Sequence, residues 1–316
     1  MSERVPSVLV TGAAGFLGLH TVERFIDRGF LVRALDIPDN TCVQRLSRFS
    51  DDDRVRIVHR DLFDIDPESE IFDGLHAIIH CAGIADHRAS FDFPEHYIRA
   101  NVTSLARILD SARRNGGAKV INPSSSAVYG LPEWPTREDH PLAPVNPYGL
   151  SKLLAEQLAT HWHRLYDLPT ISFRIFNGYG PGTDTRHGLI GTFLQSKCQG
   201  ETVVITGDGN QRRDFIHVFD IVEAFVCAAE SDRAGEIYNL GSGTPASIIT
   251  LAELMKLDVT FAPAESGGQD VTCADIAKIK NHFGWEPKIS LAEGIKWILP
   301  ETTEKPPSTT EAADAV

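Results

Sequence analysis

Thr11-Gly12-Ala13-Ala14-Gly15-Phe16-Leu17-Gly18 follows directly on the apolar run Ser7-Val8-Leu9-Val10. It opens a segment in which Phe16, Leu19, Val22, Phe25 and Ile26 recur at helical spacing. The pattern predicts a buried strand, a tight turn and an amphipathic helix. Glycines lack a Cβ, so the turn can be sharp and its backbone can approach a pyrophosphate closely, while the last glycine lets helix pack on strand. The phosphates would then face free N–H groups and the positive end of the helix dipole. The spacing is G-x-x-G-x-x-G rather than G-x-G-x-x-G, and an ordinary strand–helix turn also tolerates glycine. The placement between first strand and first helix is what favours a dinucleotide.

Working outward, Gly29 ends that helix and Phe30–Leu35 begins a second strand. Val55–Val58, Ala77–Ile79 and Lys119–Ile121 read as further strands, with helical patterns around 93–114 and 147–165. Strands alternating with helices imply an α/β fold, a doubly wound parallel Rossmann sheet covered on both faces. Beyond residue 177 the pattern loosens, with Gly and Pro dense in Gly178–Gly182 and Gly207–Gly209. The expected division is a dinucleotide-binding domain over 1–176, a discontinuous substrate lobe over 177–298 from which 214–242 returns to the sheet, and a disordered tail over 299–316.

The chain has 316 residues, 43 acidic against 30 basic, and a formal net charge of −13, which argues against nucleic-acid binding through a basic surface. A few local arginines would still suffice for a phosphorylated small molecule. The five cysteines are scattered, odd in number and form no CxxC pair, so neither a disulfide framework nor structural zinc is expected. No apolar run matches a signal peptide or the roughly 20 residues of a membrane helix. A cytoplasmic location without membrane attachment is the expectation. The twelve histidines show no HExxH, and His161 and His163 would face apart on a helix. His217 reads as a structural hydrogen-bonding residue and Cys81 as packing. No G-x-S-x-G elbow supports acyl transfer.

Three further features carry chemistry. The second strand ends at Leu35-Asp36, where a carboxylate can accept both adenosine ribose hydroxyls and repel a 2′-phosphate, favouring NAD; Arg33 keeps NADP open. Asp61-Leu62 follows the third strand, where Asp61 can receive the adenine amino group or simply cap a turn. Tyr148-Gly149-Leu150-Ser151-Lys152 is the only YxxxK in the chain, and i and i+4 share one helix face. An ammonium near the phenol, together with a positively charged nicotinamide ring, would favour phenolate, so that Tyr148 could act as a base. Upstream, Asn122-Pro123-Ser124-Ser125-Ser126-Ala127-Val128-Tyr129-Gly130 follows an apolar strand and would set a hydroxyl at the sheet's carboxyl edge.

Glycine turn, Asp36, serine strand end and YxxxK, in that order, resemble the extended short-chain dehydrogenase/reductase family in its nucleotide-sugar epimerase/dehydratase branch. The resemblance runs from about residue 7 to residue 298. It includes His80-Cys81-Ala82-Gly83, Asn101-Val102, Phe173-Arg174-Ile175-Phe176-Asn177-Gly178-Tyr179-Gly180-Pro181 and Arg213-Asp214-Phe215-Ile216-His217-Val218. Tyr238-Asn239-Leu240-Gly241-Ser242-Gly243 and Gly284-Trp285-Glu286-Pro287 complete it. The resemblance implies Ser125, four residues before the tyrosine of VYG, as the catalytic hydroxyl, with Ser126 beside it at the substrate. It implies Tyr148 as base and acid, and Lys152 on the nicotinamide ribose. On the cofactor side it implies Gly12, Gly15, Phe16, Leu17, Gly18, Asp36, Asp61, Leu62, Ala82, Gly83, Asn101 and Phe176. Asn177 and Arg213 would hold the substrate's diphosphate. Relatives commonly form homodimers through two helices, here 93–114 and 147–165.

The residues after Ser125 discriminate between reactions. The resembling 4,6-dehydratases carry Asp and Glu immediately after the hydroxyl, and decarboxylating relatives keep the Glu. Here Ser126 and Ala127 stand there, and neither is a carboxylic acid. The expectation is an NAD-dependent epimerase acting at C4 of a nucleotide-diphosphate sugar. A reductase or dehydrogenase of a keto-sugar is the alternative, and a non-catalytic dinucleotide-binding protein the third reading. One departure concerns the substrate: relatives clamp the diphosphate with a late Arg, whereas Pro263–Asp270 contains none. Arg88, Arg186 and Arg212 are candidate substitutes.

Overall fold

The computed structural model describes residues 5–38, 43–185, 188–264 and 270–299. The chain runs β1 (Ser7–Thr11), α1 (Phe16–Asp27), β2 (Leu31–Asp36), β3 (Val55–His59), β4 (Ala77–His80), α2 (Ala89–Asp92), α3 (Pro94–Tyr97), α4 (Ser104–Arg114), β5 (Lys119–Ser125) and α5 (Pro147–Tyr166). It continues through β6 (Thr170–Ile175), β7 (Asn177–Tyr179), α6 (Gly188–Gln199), β8 (Val203–Thr206), β9 (Arg212–Arg213), β10 (Phe215–His217), α7 (Val218–Glu230) and β11 (Glu236–Leu240). It closes with β12 (Ala246–Ser247), α8 (Ile248–Leu254), β13 (Val259–Ala262), α9 (Ala277–Phe283) and α10 (Leu291–Ile298).

Seven strands form one parallel sheet in the order β11-β6-β5-β4-β1-β2-β3. Alternate residues of each strand point to opposite faces, and both faces are apolar. Val8, Val10, Val32 and Ile79 meet Leu19, Val22 and Phe25 of α1 and the buried side of α7. Leu9, Leu35, Ile78 and Val120 meet Leu105, Ile108 and Leu109 of α4 and Ala155 and Ala159 of α5. Helices on both faces explain why the strands read as continuous hydrophobic runs. Strand order reverses between β1 and β4, so the chain leaves these neighbours in opposite directions and a crevice opens beyond their carboxyl ends.

The expected strands are all present, and β5 runs on to Ser125. The helical pattern at 93–114 is not one helix. Phe93 is out of helical conformation (φ −129°, ψ 52°) ahead of Pro94, and a π-helical turn over Ile98–Thr103 precedes α4. Proline restricts the residue before it and has no N–H to donate, which accounts for the break. A separate apolar cluster beyond the sheet joins Tyr179, Phe193, Ile205, Phe215, Leu251 and Ile295, from segments on either side of β11. The expected tail lies outside the described residues apart from Leu299. Among the described residues no helix is long and apolar enough to cross a membrane, and no three His, Cys, Asp or Glu side chains gather as metal ligands.

The β1–α1 junction is sterically saturated. A Cβ on Gly18 would lie 2.0 Å from the Gly12 carbonyl oxygen, and a Cβ on Gly12 (φ +62°) would lie 2.6 Å from the Ala82 nitrogen. Both obstacles are backbone. Gly18→Ala is therefore expected to cost about 2 kcal/mol or more, read as a lowered midpoint in denaturant unfolding.

Candidate active site

The turn after β1 and the end of β4 form one wall of the crevice. Thr11 Oγ1 bonds the His80 ring at 2.8 Å and accepts from the Ala82 N–H at 3.3 Å, tying the start of the glycine turn to the next strand. The other ring nitrogen of His80 bonds Ser104 Oγ at 3.0 Å. Burial, aided by the charge of Lys152, pushes the His80 pKa down to about 3, so it serves as a neutral strut. The cavity beyond has a volume of about 420 Å³ and is lined by Thr11, Gly12, Gly15, Asp36, Asp61, Leu62, Ala82 and Gly83, among others.

Asp36 sits at the end of β2 and is only 6 % exposed. One carboxylate oxygen accepts from the Ala14 N–H and the other from the Ile37 N–H, each at 2.8 Å. The carboxylate is thereby fixed against the glycine turn. Arg33 points elsewhere, donating to the carbonyls of Glu70, Ile71 and Asp73. It therefore does not form a 2′-phosphate site with Asp36. Asp61 accepts from the Phe63 N–H at 2.9 Å as the cap of a short helix, while its neighbour Leu62 lines the cavity. Phe16 and Leu17 pack against the apolar core under the turn. Phe176 is buried with Val128, Tyr129 and Leu153, beneath the turn that follows β5.

Asn101 lies within the π-helical turn and is 3 % exposed. Its Oδ1 accepts from the Ile84 N–H, and its Nδ2 donates to the Ile84 carbonyl and to Ser151 Oγ. It ties the loop after β4 to α5, so most of its hydrogen-bonding capacity is spent within the protein. A Cβ on Gly83 would lie 2.6 Å from Asn101 Oδ1, so this loop can pass only as glycine.

The catalytic candidates lie together where the end of β5 meets the start of α5. Ser125 is the last residue of β5, and its hydroxyl accepts from the Ala127 N–H at 3.1 Å. Tyr148 opens α5, where Pro147 begins the helix and the Asn146 side chain caps it by accepting from the Gly149 N–H at 2.7 Å. A Cβ at Gly149 would meet the Ala127 carbonyl oxygen at 2.6 Å, so glycine is what lets the helix start rest on the turn after Ser125. Burial raises the Tyr148 pKa above that of a free phenol, opposed by its hydrogen bond with Ser125 and aided by Tyr97. Lys152 does not counter this as the motif predicts: its ammonium donates to the Pro123 carbonyl at 2.9 Å, and burial lowers its pKa to about 8. Sharing a helix face does not by itself bring ammonium to phenol.

One turn further along α5, Glu156 is 2 % exposed and binds Arg174 of β6 through Nη2 at 2.5 Å and Nε at 2.9 Å. It also accepts from Ser124 Oγ at 3.1 Å. Arg174 continues to the Tyr129 hydroxyl and the Glu138 carbonyl, and Tyr129 donates to Asn239 at 2.6 Å. The network clamps both residues flanking the Ser125–Val128 turn. No motif marks Glu156, although its i+8 spacing from Tyr148 puts it on the same helix face as Lys152.

On the substrate side, Asn177 donates to the Asp214 carbonyl at 2.9 Å, joining β7 to β10. Arg213 is half-buried and donates to the Arg212 carbonyl. Asp214, fully buried, accepts from the backbone of Ser242, Gly243 and Ala274, fixing the loops beside Arg213. Ser126 lies in the short turn after Ser125. Arg88 and Arg212 are exposed, whereas Arg186 and most of Pro263–Asp270 lie outside the described residues. Cys81 touches Thr21 Oγ1 at 3.9 Å, and burial pushes its pKa up to about 12, so it stays a thiol. His217 accepts from the Phe219 N–H through Nδ1, capping α7. A residue no motif marks is His87, whose ring lies over Tyr148 with centroids 4.6 Å apart.

Because the obstacle at Gly149 is a backbone carbonyl of the serine turn, Gly149→Ala should push Tyr148 away from Ser125 and also lower the melting temperature. Catalytic efficiency, measured well below that melting temperature, is expected to fall at least about tenfold, as misplaced reacting groups cost.

The sequence model described as the NAD dependent epimerase/dehydratase family matches residues 8–241. UDP-glucose 4-epimerase of Mycolicibacterium smegmatis is 32% identical over 298 residues, covering 91% of this chain and 95% of that protein. Among solved structures, UDP-N-acetylglucosamine 4-epimerase from Methanobrevibacter ruminantium M1, in complex with UDP-N-acetylmuramic acid, superposes with a TM-score of 0.85 at 30% identity, covering 93% of this chain and 98% of that one. UDP-glucuronic acid 4-epimerase from Bacillus cereus, in complex with UDP-glucuronic acid and NAD, gives 0.84 at 26% identity, covering 92% and 97%. With the sheet order, the glycine turn and the Ser–Tyr–Lys wall already in place, these matches make the chain a member of the NAD-dependent epimerase/dehydratase family.

Proposed function

We propose that this protein is an NAD-dependent 4-epimerase of a UDP-linked sugar. The observation that carries the reading is the pairing of Ser125 with Tyr148 where β5 ends and α5 begins, with no carboxylic acid following Ser125. Relatives whose names specify UDP-glucose, UDP-glucuronic acid and UDP-N-acetylglucosamine 4-epimerases support it.

The cavity fits the dinucleotide. Side chains are missing where a pyrophosphate would lie, at Gly12 and Gly15, and the N-terminus of α1 faces that space. The backbone from Gly12 to Gly18, including Phe16 and Leu17, would hold the diphosphate, Asp36 the adenosine ribose, and Asp61 and Leu62 the adenine edge. Ala82, Gly83, Asn101 and Phe176 would shape the nicotinamide half, and Lys152 would bind its ribose. When bound, NAD accepts hydride from the sugar's C4 and returns it.

Tyr148 takes the C4 hydroxyl proton, and Ser125 holds that oxygen as it becomes a carbonyl. The planar 4-keto sugar turns over within the site. With hydride delivered to the opposite face of C4, Tyr148 gives its proton back to the carbonyl oxygen. Asn177 and Arg213 hold the diphosphate, with Ser126 at the sugar. The apolar cluster around Phe193 and Leu251 is the core of the substrate lobe, formed from segments within 177–298 on either side of the returning stretch 214–242 together with Phe215 at its start. A homodimer would bury the stripe of α5 that carries Leu150 (45 % exposed), Leu154 (36 %) and Leu165 (60 %).

Purified protein should interconvert UDP-glucose and UDP-galactose, or their uronate or N-acetyl counterparts, without added cofactor. Tyr148→Phe should lower turnover by about 10²–10⁴-fold with unchanged NAD retention. Net NADH release with accumulating ketone would identify a dehydrogenase instead. For the dimer, Leu154→Glu should halve the mass in light scattering; a wild-type monomer would dismiss it.

A further inference from the structure

His87 stands out because its backbone is held firmly while its ring nitrogens are unused. Asp86 Oδ1 accepts from the N–H groups of Arg88 and Ala89, and the Asp86 carbonyl accepts from the Tyr97 hydroxyl at 2.5 Å. The His87 carbonyl accepts from Ser90 Oγ at 2.6 Å. The loop is thus pinned on both sides of the imidazole. The ring lies over Tyr148 at a 32° tilt, while Tyr97 makes an edge contact with Tyr148 at 6.4 Å. His87 is exposed and Tyr148 is only 6 % exposed, so the imidazole is the accessible surface beside the phenol. Among the described residues neither ring nitrogen of His87 has a hydrogen-bond partner. By contrast, both nitrogens of His80 and of His20 are engaged.

Resting on the epimerase reading above, we propose that His87 is a specificity-determining residue: it hydrogen-bonds a substituent on a carbon flanking C4 while its ring holds the Tyr148 phenol in place. Atoms bonded to adjacent ring carbons lie within a few ångström of one another, so a sugar whose C4 oxygen is at Tyr148 brings its C3 hydroxyl and C5 substituent within reach of the neighbouring imidazole. Desolvation by the protein around the ring lowers the His87 pKa, with Asp86 opposing, which favours a neutral ring with one donor and one acceptor. Such a ring suits a hydroxyl, and a site built for a hydroxyl discriminates strongly against its absence.

The test compares wild type with His87→Phe, which keeps a ring over Tyr148 and removes both nitrogens, and with His87→Asn, which keeps a donor and an acceptor without the ring. The probes are UDP-glucose and its 3-deoxy and 6-deoxy analogues, with melting temperature and NAD retention as checks of fold. Wild type should lose at least about tenfold in kcat/KM on one of the two analogues. In His87→Phe that penalty should collapse to within about twofold, mainly through a raised KM for UDP-glucose. In His87→Asn part of the penalty should persist, with a lower kcat from the loosened phenol. Equal analogue penalties in all three proteins would overturn the proposal. No turnover of any UDP-hexose by wild type would instead remove the epimerase reading beneath it.

Discussion

The buried pair between Glu156 and Arg174 is the constraint around which Ser125, Tyr148 and Lys152 are arranged. A carboxylate and a guanidinium at 2 % and 3 % exposure gain little net stability from each other, because both give up hydration. Their value is geometric. Removing either partner would leave an uncompensated charge in the interior, so α5 has one low-energy seat against β5 and β6. Tyr148, Lys152 and Glu156 share a face of that helix, so seating the third places the first two.

The cofactor wall obeys a different constraint, the distance of backbone from backbone. Gly12, Gly18 and Gly83 sit where a Cβ would strike a main-chain or amide oxygen or nitrogen. The junctions of β1 and β4 interlock there, and the Thr11–His80–Ser104 chain of hydrogen bonds fixes their relative height. One wall is thus positioned by charge and the other by the absence of side chains.

Much of this was legible in the chain. The continuous apolar strands and the glycine turn mark the sheet, and YxxxK with the serine run marks the reacting edge. Signals failed where one local pattern had two tertiary outcomes. The run 93–114 has helical periodicity, yet Pro94 and a π turn divide it, and that turn is what turns Asn101 toward Ile84 and Ser151. Arg33 lies three residues from Asp36 in sequence but bonds carbonyls of Glu70, Ile71 and Asp73. Asp61 was open between two roles, and its Oδ1 caps a turn.

By itself the sequence determined the parallel α/β class, the place of the glycine turn and the identity of the Ser, Tyr and Lys set, since each depends on local periodicity or on residue chemistry at fixed spacing. Only the tertiary structure decided that Lys152 reaches the Pro123 carbonyl, that burial raises Tyr148, and that His87 covers the phenol from a loop sixty residues away. Those facts depend on which segments the sheet brings together and how much water they exclude, and neither quantity is a property of any one stretch of chain.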